Sequence, residues 1–252
     1  MTFVNMFSGF AAEPQWGTLK GQIILDGDDL RLPPQVVAVP VLPKRQVLDE
    51  RLVVDTVTKG IANIFIYLPS RPVSVHPDLD PNRNVDGKEK DDDEVVLDRN
   101  NGRYVPHAMI VRTHQKIRLL NGDNRTHNVV TLPIRNSNQN VIVKPNDRVG
   151  VVLQPMTIAE RTPTIVTSGV HVWMSAYVLV VDHPYAAVTD KVGRFEIRKL
   201  PVGKHDFRIW HEAVGWLEKK YVVTIEEGMN TREPLKFTAK QILKNQAVDN
   251  SK

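Results

Sequence analysis

Residues Val166 to Met174 read VTSGVHVWM, and the interpretation of the whole chain turns on them. The stretch follows PTI, which is β-branched like a strand, and precedes AYVLVV, one of the most apolar runs in the sequence. A short loop between two strands therefore carries a hydroxyl at Ser168, an imidazole at His171 and a thioether at Met174. Imidazole and thioether are soft, neutral donors suited to a transition metal, whereas an alcohol hydroxyl stays protonated near neutral pH and binds poorly.

Outside this loop the composition sets bounds. A length of 252 residues allows one large or two ordinary domains, because domains run to about 100–200 residues each. The 41% hydrophobic and 25% charged content belongs to a globular chain with a substantial core. Basic residues number 33 against 29 acidic ones with no Lys/Arg block, so nucleic acid is not an expected partner, and no apolar run predicts membrane insertion. Cysteine is absent. That removes disulfides, thiolate nucleophiles, iron–sulfur clusters and Cys-based zinc sites, and leaves the redox compartment open.

Residues 1–15 begin MTFVNMFSGFAAEP, with small residues near a cleavage-like end but no basic start and only a short, interrupted apolar run. They read either as an incomplete export signal or as an unordered beginning. From Trp16, WGTLKGQIILDG alternates as a strand and closes in a turn at Asp26-Gly27-Asp28. LRLPPQVVAVPVLPKR is rich in Pro, which has no N–H for a ladder, and predicts an edge strand or an extended connection. IANIFIYLP, in contrast, is a nearly continuous apolar run and predicts a core strand.

Residues 71–94 predict a long acidic surface loop. Within it Asp78, Asp80, Asn82, Asn84 and Asp86 precede Gly87. Alternating oxygens before a turn glycine are similar to the start of a calcium loop, which makes the 78–93 stretch a candidate calcium site. The register from Asn82 departs from that pattern by placing an amide first and Asp93 where a bidentate Glu is usual. A solvated acidic loop is the plainer reading.

Strands are predicted at Val95 (VVLD), Met109–Val111 and Ile117–Leu120, and a hairpin around Pro145-Asn146-Asp147. No long amphipathic helix is evident, and short strands at regular spacing predict an all-β chain of sandwich type. The last third alternates as strand, turn and strand, with Phe195 and Ile197 facing one way, a turn at Leu200–Gly203, and Phe207 and Ile209 resuming the pattern.

Two resemblances follow. VTDKVGRFEIRKLPVGKHDFRIWHEAVGW is similar to the signature of carboxypeptidase-regulatory-like, or transthyretin-like, β-sandwich modules, with a T-D-x-x-G-x-F strand entry and an L-P-x-G hairpin. Such modules begin with a G-x-x-x-G strand and an apolar strand, and both occur here at Gly17–Gly21 and Ile61–Leu68. RYVPHAMIVRTHQKIRLLNGDNRTHNVV and VTSGVHVWM between them resemble a cupredoxin Greek-key sandwich, in a combination known from exported bacterial proteins. The resemblance implies residues 16–70 and 182–237 for the regulatory-like module, 95–181 for the cupredoxin-like domain and 238–252 for a polar tail.

By that resemblance His127 and His171 match the two copper imidazoles, Met174 the axial thioether and Ser168 the Cys thiolate, while His114 takes the place of a turn glycine. Without the thiolate, a type 1 copper site is not expected. Two readings remain, a degenerate site without copper and a non-blue copper carrier on His127, His171 and Met174. If copper geometry survives, the imidazole nitrogens should lie about the span of two ligands each near 2 Å from one metal.

No G-x-S-x-G elbow, phosphate loop or dinucleotide fingerprint occurs, and His211-Glu212 lacks the second His of a zinc-peptidase helix because Gly215 stands there. The expected protein is thus non-enzymatic, and the resemblance implies that it is periplasmic or secreted. A protein partner, unidentified, or membership of a larger assembly through strand edges is expected of it.

Overall fold

The computed structural model describes residues 15–27, 36–38, 46–69, 74–80, 94–171 and 173–243. Its strands are β1 Trp16–Asp26, β2 Val36–Ala38, β3 Gln46–Leu48, β4 Phe65–Tyr67, β5 Glu94–Asn100, β6 Arg103–Val105, β7 Ala108–Arg112, β8 Lys116–Asn121, β9 His127–Leu132 and β10 Gln139–Val143. They continue as β11 Val151–Val152, β12 Thr164–Thr167, β13 Ser175–Val181, β14 Ala186–Val188, β15 Arg194–Pro201, β16 Gly203–His211, β17 Gly215–Ile225, β18 Gly228–Thr231 and β19 Leu235–Thr238. A single 3-10 turn at Pro77–Leu79 and a five-residue helix, α1 Ala239–Leu243, complete the described elements. The chain is all-β, as expected, and no described helix is long and apolar enough to cross a membrane.

One sandwich is built from both ends of the chain. Its first sheet has the order β15-β1-β18, with β19 also pairing along the second half of β1. Its second sheet has the order β14-β4-β16-β17. Leu19, Ile23, Ile61, Ile64, Ile66, Phe195, Ile197, Leu200, Phe207 and Ile209 fill the space between them. The G-x-x-x-G spacing has a steric cause: a Cβ on Gly17 would lie 2.2 Å from the Glu226 carbonyl oxygen, and one on Gly21 would lie 2.6 Å from the Phe195 ring. In the T-D-x-x-G-x-F entry, Asp190 Oδ1 accepts from the N–H groups of Val192 and Arg194, and Gly193 takes φ +78°. Thr189 Oγ1 accepts from Ile64 N and donates to Ile61 O, tying this entry to the approach of β4.

The other sandwich is continuous in sequence. One sheet runs β10-β9-β12-β13-β7, the facing sheet β11-β8-β5-β6, and Leu97, Val111, Leu119, Val129, Val166, Val178 and Val180 lie in its core. His114 sits at φ +67°, a left-handed position that glycine fits best.

The two sandwiches pack face to face. Phe65 and Tyr67 of β4 and Trp210 of β16 meet Ala108 of β7 and Leu179 and Val181 of β13 in a third apolar cluster. Ile66 of β4 points the other way into the first core, and Val178 and Val180 of β13 point into the second. Both strands are therefore buried on both faces, which is why they read as unbroken apolar runs and not as alternating ones.

Two expected hairpins are not hairpins. The turn at Pro145–Asp147 joins β10, which pairs with β9, to β11, which pairs with β8. Likewise the L-P-x-G turn joins β15, paired with β1, to β16, paired with β4 and β17. In both cases the turn carries the chain from one sheet of a sandwich to the other, and alternation along each strand is the same either way. The Pro-rich stretch supplies β2, which pairs with β3 just beyond it. The start 1–14, residues 81–93 of the calcium-like stretch and the tail from 244 lie outside the described residues. The described start of the acidic loop holds Asp78 paired with Lys199.

Candidate functional site

The loop between β12 and β13 and the start of β9 meet at one end of the second sandwich. His127 opens β9 and is buried, and His171 lies on the loop with its ring centroid 4.8 Å from that of His127, edge to face at 63°. That is the geometry of edge-to-face ring packing. Trp173 packs edge-on against His171 at 5.1 Å, and Met174 is buried behind them. The fold thus brings the rings of His127 and His171 together, and Met174 N donates to His171 O.

Local bonds fix both segments. Asn121 Nδ2 donates to the carbonyls of Arg125 and Lys144, both at 2.7 Å, and its Oδ1 accepts from Asp123 N. The Asp123 carboxylate accepts from the N–H groups of Asn101 and Gly102. It also lies 3.2 Å from His127 Nε2, but outside hydrogen-bond geometry, so neither ring nitrogen of His127 has a hydrogen-bond partner. On the loop, Ser168 Oγ accepts from Val170 N and His171 N and donates to Asn128 Oδ1 at 3.1 Å. Ser168 therefore holds the loop's turn and ties it to the residue after His127.

The residue that the sequence reading did not single out is Arg99. It lies on β5 two positions after Leu97 and is 1% exposed, so its side chain enters the same interior. Nη2 donates to Met174 Sδ at 2.9 Å, Nη1 donates to Asn128 O at 3.2 Å, and Cζ stands 4.8 Å from the centroid of the Tyr104 ring. Tyr104 is itself held by its hydroxyl donating to Thr167 O. A signal for Arg99 existed: alternation in VVLDRN places Val95, Leu97 and Arg99 on one face, and a cation at a core-facing position is rarely idle.

The electrostatics follow from this packing. Burial pushes His127 down to about 4, with the charge of Arg99 and then His171 adding to the effect against Asp123. His171 is lowered by burial, then by Arg99 and Arg125. Both imidazoles are neutral at pH 7. Burial also lowers the guanidinium of Arg99, which the Tyr104 ring and Asp123 partly oppose.

A second polar cluster lies between the sandwiches. His107 Nε2 is paired with the Glu212 carboxylate, and His107 Nδ1 lies 3.7 Å from Glu50 Oε2, while Arg103 Nη1 reaches Glu50 Oε1 at 3.1 Å. His107 and Glu212 are both nearly inaccessible. Tertiary packing makes His107 a buried bridge between the sandwiches.

The fold and this site define an all-β chain of two packed sandwiches, one with two histidines and a methionine gathered at its end. No protein-family model matches the chain, and no curated protein matches it. Solved structures it is similar to include a reduced amicyanin mutant at 17% identity and TM-score 0.30, over 46% of this chain and 97% of that one. Others are a purple cupredoxin from Nitrosopumilus maritimus at 14% identity and TM-score 0.27, over 34% and 97%, and amicyanin from Paracoccus versutus at 16% identity and TM-score 0.25, over 46% and 96%. At these values the likeness concerns fold alone.

The residues present do not fit a type 1 copper ion. Ser168 offers no thiolate, its hydroxyl already serves three hydrogen bonds, and the Met174 sulfur accepts from a guanidinium. An ion bound at that sulfur would sit beside a fixed positive charge, a repulsion of about 4 kcal/mol per unit charge at 4 Å in a partly screened site. Among the described residues, no group of three or more His, Cys, Asp or Glu is placed to hold a metal ion.

Proposed function

We propose that this chain is a non-enzymatic, exported binding or structural protein, in which a cupredoxin-type sandwich without type 1 copper is docked on a regulatory-like module. The observation that carries the reading is the engagement of Ser168 Oγ and Met174 Sδ in the protein's own hydrogen bonds, which leaves two neutral imidazoles as free donors. Two neutral nitrogens hold copper weakly compared with a set that includes a thiolate. Titration of the protein with copper, read by absorbance and electron paramagnetic resonance, tests this. The expected result is no tight stoichiometric uptake and no change on His171→Ala. One copper per chain, lost in that variant, would establish the carrier reading instead.

Association with a protein partner is favoured by one surface. β10 is an edge strand, and Ile142 on it is 66% exposed. Edge strands with exposed apolar side chains invite pairing. Size-exclusion chromatography with light scattering reads this directly. A monomer at high concentration, with no partner retained on the immobilised chain, counts against it.

A further inference from the structure

We propose that Arg99 is the resident cation of the His127, His171 and Met174 site, so that its guanidinium, and not the loss of a thiolate at position 168 alone, keeps copper out. The inference rests on the cupredoxin-type reading of this sandwich end and adds a second, independent barrier to it.

The placement of Arg99 carries the argument. A buried guanidinium ordinarily finds a carboxylate, because a charge removed from water needs a partner. Arg99 hydrogen-bonds to none. Its partners are a thioether, a backbone carbonyl and an aromatic face. Two of these belong to the segments that bear the candidate ligands, namely Met174 on the loop and Asn128 directly after His127. The guanidinium joins β9 to the loop across the top of the core, a link that a metal ion would otherwise supply.

The converse is equally specific. Ser168 Oγ stands where it accepts from the N–H groups of Val170 and His171. A sulfur at the same point can accept from both, so Ser168→Cys leaves the loop in place and supplies the missing donor. For copper to then reach Met174 Sδ, Arg99 Nη2 has to leave a position 2.9 Å from it. No described carboxylate is hydrogen-bonded to the guanidinium to draw it elsewhere.

The experiment compares four full-length proteins: the natural chain, Ser168→Cys, Arg99→Leu, and the double variant. Copper(II) sulfate is the probe, and the readouts are the thiolate-to-copper charge-transfer band, the paramagnetic resonance spectrum and the melting temperature. The double variant should take up one copper per chain, with an intense visible band and a raised melting temperature. Ser168→Cys alone should bind at least tenfold more weakly. Equal uptake and equal colour in Ser168→Cys and the double variant would overturn the role of Arg99, while the proposed function stands. A folded double variant that binds no copper would overturn it too. Tight copper binding by the natural chain would instead sink the proposed function.

If Arg99→Leu fails to fold, Arg99→Gln replaces it with the same outcomes, since it drops the charge and keeps an N–H donor. A measurement on the natural chain needs no variant. The Arg99 guanidinium protons should be resolved by NMR, protected from exchange and unmoved by copper. Rapid exchange with water would show a mobile side chain and overturn the proposal.

Discussion

Arg99 Nη2 donates to Met174 Sδ at 2.9 Å, joining a strand of one sheet to the loop that leads into the other sheet of the same sandwich. A loop tethered in this way, with its serine already engaged, is set up as structure before any ligand arrives. The consequences reach beyond the site.

Ser168 is a structural residue of the loop. Ser168→Ala removes one donated and two accepted hydrogen bonds. It should cost about 1–3 kcal/mol, because the N–H groups of Val170 and His171 lose their acceptor. Chemical denaturation measures this. A variant as stable as the parent would mean that water replaces the hydroxyl fully.

The two sandwiches should unfold together. Leu179 is fully buried in the layer between them, and Leu179→Ala should cost about 2–5 kcal/mol. Calorimetry of the natural chain should show one transition, shifted down intact in the variant. Two separated transitions in the natural chain would show that the contact layer does not couple the modules.

Acid and alkali should act on the bridge between the modules in opposite ways. His211, at the end of β16, is lowered by burial and by neighbouring His107 from 6.5 to about 4. Between those values the unfolded chain binds more protons than the native one, so this contribution is present above about pH 6.5 and is lost as pH falls. Burial alone would lower His107 as well, but the hydrogen bond and charge of Glu212, with the charge of Glu50, raise it above 6.5. Its contribution is complete below about pH 6.5 and is lost as pH rises through the raised value. Imidazole NMR should find His211 neutral at pH 5.5 and the His107 midpoint above 6.5. His107→Gln should flatten the side of the profile above pH 6.5 and, by removing a neighbouring charge, also weaken the acid-side contribution of His211.

Gly17 is fixed by close approach. Gly17→Ala puts a methyl against the Glu226 carbonyl, and a shift of β1 or of the β17–β18 turn should cost about 1–3 kcal/mol. Lys20→Ala, on the same strand but half exposed, provides the control and should change stability by less than about 1 kcal/mol.

Much of this was legible along the chain. Periods of two and frequent turn signals determine an all-β chain, because alternation follows from the pleat whatever the partner strand. The IANIFIYLP and AYVLVV runs marked the deepest strands, and the resemblance to a cupredoxin picked out His127, Ser168, His171 and Met174. Alternation does not say which strand pairs with which, and so the turns at Pro145–Asp147 and Leu200–Gly203 read as hairpins although each crosses between sheets. Nor does it bring together residues far apart in sequence. Arg99 meets Met174 across 75 positions, and His107 meets Glu212 across 105. Local pattern thus determined the strands and the candidate donors, whereas tertiary packing decided that an arginine lies among those donors, because only packing places a distant side chain in a buried space.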